Sequence, residues 1–99
     1  MSYVILTSKD GAFRTEADAS LRPVETYEYL FCGRRRATFT LAEIVAETRV
    51  KVIEVEDPSL VNLVPSKFLP HFDSLDEARR ALTSLTRYGE MDTALRKVA

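Results

Sequence analysis

The segment "TYEYLFCGRRRATFTLAEI", residues 26–44, restricts the fold of this chain more than any other. Tyr27, Tyr29 and Phe31 fall on one side of an extended backbone, with Glu28 and Leu30 on the other. Past Gly33, Ala37, Phe39 and Leu41 alternate against Thr38 and Thr40. Apolar residues at a spacing of two, rich in aromatics and threonine, mark half-buried strands, because successive side chains of a strand point to opposite faces. The pattern predicts a β-hairpin with Arg34, Arg35 and Arg36 at or just past its tip.

Other stretches extend this strand-rich reading. "YVILTSKDGAFRTE" carries Asp10-Gly11 between two runs, a tight-turn signal because glycine accepts a positive φ. Residues 17–25 are polar, contain Pro23 and are expected to be a loop. Residues 49–57 form a further strand whose apolar phase changes, Val50 and Val52 on one face and Ile53 and Val55 on the other; cover on both sides or a bulge would account for that. A short strand at residues 60–64 is ended, or confined to an edge, by Pro65. "PSKFLPHF" has no period, and its Phe68, Leu69 and Phe72 are expected to tuck under the helix that follows.

That helix starts at a capping box. The Ser74 hydroxyl can accept from the Glu77 N–H while the Glu77 carboxylate reaches back. Leu75, Ala78, Ala81, Leu82 and Leu85 then recur at helical spacing, and Gly89 offers a stop. Met91, Leu95 and Val98 suggest a second short helix. The expected architecture is a single α+β domain over residues 1–99: five or six strands in a small antiparallel sheet or open β-barrel (1–70), then a helical part (74–99). Parallel βαβ units are disfavoured, since no helical segment separates the strands.

Function is read largely by exclusion. Cys32 is the only cysteine and His71 the only histidine, so no intramolecular disulfide and no four-thiolate metal site can form, and no ligand spacing for zinc or calcium is present. With three glycines, no phosphate-cradling loop can be assembled. No cofactor and no metal are expected. A Cys32–His71 pair has no motif behind it, and Cys32 is expected to be a small packing residue at a strand end. Glu54 and Glu56 share one strand face, which reads as a solvated face. The absence of paired cysteines and of an apolar leader leads to the expectation of a cytoplasmic protein that does not enter membranes.

Fourteen basic against fifteen acidic residues leave a net charge of −1, which argues mildly against a dedicated nucleic-acid binder. The leading expectation is a non-catalytic interaction module, an accessory subunit or adaptor of a larger protein. Its candidate contact residues are Arg34, Arg35 and Arg36, then Phe68 and His71. The alternative is a single-strand nucleic-acid binder, with the arginines on phosphates and Tyr27, Tyr29, Phe31 or Phe39 as stacking platforms; those rings are expected to be core instead. The basic tip and the acidic residues 54–57 would also complement each other between two copies, which leaves room for a homo-oligomer.

Overall fold

The computed structural model describes residues 2–86 and 93–99. Its strands are β1 (Ser2–Lys9), β2 (Phe13–Glu16), β3 (Leu21–Phe31), β4 (Arg34–Ile44), β5 (Arg49–Glu54), β6 (Val61–Pro65) and β7 (Thr93–Lys97), and its helix is α1 (Leu75–Thr86). The strands form one open antiparallel sheet in the order β6-β5-β2-β1-β4-β3-β7. The α+β class and the antiparallel sheet are as expected; among the described residues the strand count is seven, and the sheet does not close.

The alternation in residues 26–44 translates directly into layers. In β4, Leu41 points toward α1 and packs with Ala78 and Leu82, ringed by Tyr3, Ile5, Tyr27, Phe39 and Phe72. Its neighbour Ala42 points the other way and packs with Val4, Leu21 and Val50. Both faces of the sheet centre are therefore covered, and Leu41, Ala42 and Glu43 are buried in succession. The second cover comes from the sheet itself. β1 and β2 share a single ladder position, Lys9 with Phe13, after which Thr15 replaces the ladder: its N–H donates to Ser8 Oγ at 2.9 Å and its hydroxyl to the Thr7 carbonyl. Released from β1, the β2-β5-β6 portion curls, so that Val50 of β5 meets Val4 of β1. The phase change in β5 is real in burial, since Val50 and Ile53, three residues apart, are both buried.

The helix begins as its capping box predicts. The Glu77 N–H donates to Ser74 Oγ at 3.1 Å, and the Glu77 carboxylate accepts from the Asp73 N–H at 3.0 Å, one residue earlier than the expected return. The segment before it divides. Leu69 and Phe72 pack into the two cores, Phe72 bridging Tyr3 through paired backbone bonds of 2.8 and 2.9 Å, whereas Phe68 stays out.

Two further expectations, besides the tucking of Phe68, are corrected. Residues 17–25 are not a loop throughout, since β3 begins at Leu21. Leu21 is buried, and Pro23 and the bulge at Val24 are tolerated because this end of β3 pairs on one side only, with β4. The part at 74–99 is not all helical either. Residues 93–97 form β7 on the open side of β3, so Leu95 and Val98 lie in and after a strand. Their helical spacing yields to the unpaired edge of β3, where a strand gains five ladder positions. Gly89 and Met91 lie outside the described residues. Among the described residues, no helix is long and apolar enough to cross a membrane.

Candidate functional site

The tip of the β3–β4 hairpin is a two-residue turn, Cys32-Gly33, with φ of +52° and +78°. Positive φ at both central positions matches the twist of the flanking strands, a geometry that favours Asn-Gly and costs a cysteine with its Cβ. Cys32 is exposed, which corrects the expectation that it packs at a strand end. The arginines follow as the first residues of β4. Arg34 projects into solvent, and no partner for it occurs among the described residues. Arg35 donates through Nε to Asp10 at 2.8 Å and through a terminal nitrogen to Glu28 at 3.4 Å; the Asp10 contact first, then Glu28, holds its guanidinium above the usual range. Arg36 occupies a register irregularity and places its guanidinium carbon 5.8 Å from the Phe31 ring centroid. The tripled arginine is therefore one unpartnered cation, one neutralised by carboxylates and one resting on an aromatic ring.

Tyr27, Tyr29 and Phe31 are all half-buried on the helix side of the sheet. Tyr27 is part of the core beneath α1, and Tyr29 meets Phe39 edge-on at 6.4 Å. Tyr27 and Tyr29 are thus engaged in packing, and Phe31 carries the Arg36 guanidinium over its ring.

Phe68 and His71 lie elsewhere. Phe68 is 72% exposed with Lys67 Nζ 5.5 Å from its ring centroid, and the exposed His71 has Nε2 2.9 Å from the Ser66 carbonyl, so that nitrogen carries the proton and donates. His71 immediately precedes Phe72, which is bridged to Tyr3 at the start of β1, whereas Arg35 meets Asp10 just past the end of β1. The seven residue steps from Tyr3 to Asp10 separate those points by about 23 Å. The expected contact residues thus form two separate surfaces, and Cys32 and His71 are not brought together. Among the described residues, no three of His, Cys, Asp and Glu converge as a metal site would need.

The most organised polar cluster was not legible beforehand. Glu25, nine-tenths buried, receives Arg79 of α1 through two bonds of 2.8 and 2.6 Å, Lys97 of β7 at 3.0 Å and the Tyr27 hydroxyl at 2.9 Å. Arg79, then Lys97 and Tyr27, outweigh burial and hold its carboxyl down at about 2. Every acceptor site is filled by the protein, which makes the cluster a clamp between sheet, helix and terminal strand. Its nearest sequence signal is only that Glu25 and Tyr27 are two apart and share a face.

No protein family, curated protein or solved structure matches this chain.

The remaining surface of note is the β5–β6 edge. Of nine large exposed apolar side chains among the described residues, five fall within residues 55–68: Val55, Leu60, Val61, Leu63 and Phe68. Backbone parity shows what this edge offers. Glu54 N–H donates to Leu60 O at 3.1 Å and Ser66 N–H to Thr48 O at 2.8 Å, so the even-numbered residues of β6 bond inward to β5. In an antiparallel ladder the intervening positions point their N–H and C=O away, which leaves Val61 and Leu63 facing outward. No charge guards them, since residues 58–66 are uncharged. The opposite edge differs: β7 carries Arg96 and Lys97, fixed on Glu28 and Glu25. Charged edges resist strand addition and uncharged ones invite it. The only sequence signal of this asymmetry was the placing of residues 60–64 as a possible edge strand.

Proposed function

We propose that the chain is a non-catalytic interaction module, an accessory subunit or adaptor, that docks by offering the β6 edge to another protein strand. The observation that carries this reading is the uncharged β6 edge, with the N–H and C=O of Val61 and Leu63 directed outward beside exposed Leu60, Val61 and Leu63. Strand addition supplies backbone bonds for affinity and side-chain contacts for selectivity. An unpaired thiol at a wet turn suits a reducing compartment, which supports a cytoplasmic setting. The arginine tip is secondary in this reading, because only Arg34 lacks a partner among the described residues.

The test compares the wild-type chain with Leu63→Pro in affinity capture from native lysate, with and without nuclease. Proline at position 63 removes an outward donor that β5 does not use. A stoichiometric protein held by the wild type, lost with Leu63→Pro and indifferent to nuclease is the expected result. Capture unaffected by Leu63→Pro, but lost with nuclease or with Arg34→Glu, would move the docking surface to the hairpin tip.

A further inference from the structure

We infer that the β6 edge is built for a second copy of this chain, the two β6 strands pairing antiparallel about a two-fold axis at Asn62. This rests on the edge reading above and names its partner. A two-fold pairing centred on Asn62 sets Val61 opposite Leu63 of the second copy, and Leu63 opposite its Val61. These are the residues whose backbone groups face outward, so each pair exchanges two bonds and the junction gains four. Val61 and Leu63 also share a sheet face, because they stand opposite Ile53 and Lys51 in the β5 register. Apolar side chains that are 44% and 51% exposed in one chain therefore cover each other in two. On the other face Leu60 meets Val64, and Asn62 meets its own copy. A carboxamide is both donor and acceptor, so this central pair is self-complementary.

The ends of the segment agree with the same axis. The uncharged run is bounded by Asp57 and by Lys67, which stand five positions before and five positions after Asn62. Rotation about Asn62 brings the acidic end of one copy toward the basic end of the other, twice, with no like charges opposed. Pro65 stands at outward-facing parity without an N–H, which limits the new ladder to the residues around the axis. The pairing would join two seven-stranded sheets into one that ends on both sides in the charged β7.

The test uses the whole chain. Light scattering after size exclusion should give a mass near twice 11.2 kDa for the wild type and near 11.2 kDa for Leu63→Pro, with matching far-ultraviolet circular dichroism. In a Cys32→Ser background, Asn62→Cys should be captured as a disulfide dimer under air with copper–phenanthroline. Directly opposed residues of a non-bonded antiparallel pair lie about 4.5 Å apart at Cα, within disulfide reach. Ser59→Cys, which this register sets opposite Pro65, should cross-link at least tenfold more slowly. Should Leu63→Pro fail to fold, the cross-linking pair decides alone. A wild-type chain that stays monomeric into the high micromolar range, with Asn62→Cys no faster than Ser59→Cys, overturns self-pairing. If Leu63→Pro still abolishes capture of another protein in that case, the edge reading stands without it. A dimer insensitive to Leu63→Pro, with no selective cross-link at residue 62, overturns self-pairing by placing the dimer contact elsewhere.

Discussion

At the scale of single residues, Glu25 and Cys32 are the most consequential. Glu25 is a buried carboxylate whose folded-state value of about 2 lies below an ordinary 4.5, with Arg79 the largest cause. A lowered folded value means stability that is fully present above pH 4.5 and is lost as pH falls toward 2. Arg79 and Lys97 have side chains 43% and 55% exposed, so solvent screens the attraction, and a contribution of about 2 kcal/mol at neutral pH is reasonable. Glu25→Gln should lower the melting temperature at pH 7 by roughly 8–15 °C, as follows for a domain of this size. It should also flatten the decline between pH 4.5 and 2; identical melting curves at both ends of that window would count against the clamp. At Cys32 the cost is conformational. A Cβ at φ +52° is disfavoured, whereas Asn-Gly is the preferred pair for this turn. Cys32→Asn is expected to stabilise by about 0.5–1 kcal/mol, visible as a raised urea midpoint with an unchanged slope.

At the scale of elements, α1 owes its start to local chemistry and its place to packing. Ser74→Ala removes the hydroxyl that accepts from Glu77 N–H and should cost about 1 kcal/mol. Leu82→Ala opens a void against Leu41, where both side chains are essentially inaccessible, and should cost about 2–4 kcal/mol. Denaturant unfolding of the two variants checks the ordering: a larger loss at Ser74 than at Leu82 would mean that the helix is held by its end and not by its face. The hairpin of β3 and β4 and the Ser74 start were both legible, because alternation and capping are properties of neighbouring residues. β7 was not: a segment read as helical from the spacing of Met91, Leu95 and Val98 forms a strand at residues 93–97 because β3 presents an unpaired edge that no local pattern announces.

At the scale of the whole molecule, β7 closes one side of the sheet and β6 leaves the other open. Deleting residues 93–99 would remove five ladder positions from β3 and take Lys97 from Glu25. The expected outcome is a loss of several kcal/mol, enough to unfold much of a marginal domain at 37 °C, together with association through the bared β3. Size exclusion and circular dichroism at equal concentration read both effects. A truncated chain as stable and as monodisperse as the full one would show that β7 is dispensable. The candidate contact residues follow the same division of scale. Arg34, Arg35 and Arg36 were visible as a charge cluster, but that two of the three are already engaged depends on Asp10, Glu28 and Phe31 arriving from other parts of the chain.

What the chain determines by itself are the features that depend on residues a few positions apart: the turns at Asp10-Gly11 and Cys32-Gly33, the two-sided alternation in β3 and β4, and the capped start of α1. Period and cap chemistry act within one or two turns of backbone, so they hold wherever no stronger tertiary pairing competes, as it does at β7. Only the tertiary structure decides which edges remain open, which charges are neutralised and which carboxylate is buried. Those outcomes join Glu25 to Arg79 across 54 positions and Arg96 to Glu28 across 68. They follow from strand order and sheet curl, which no window along the chain contains.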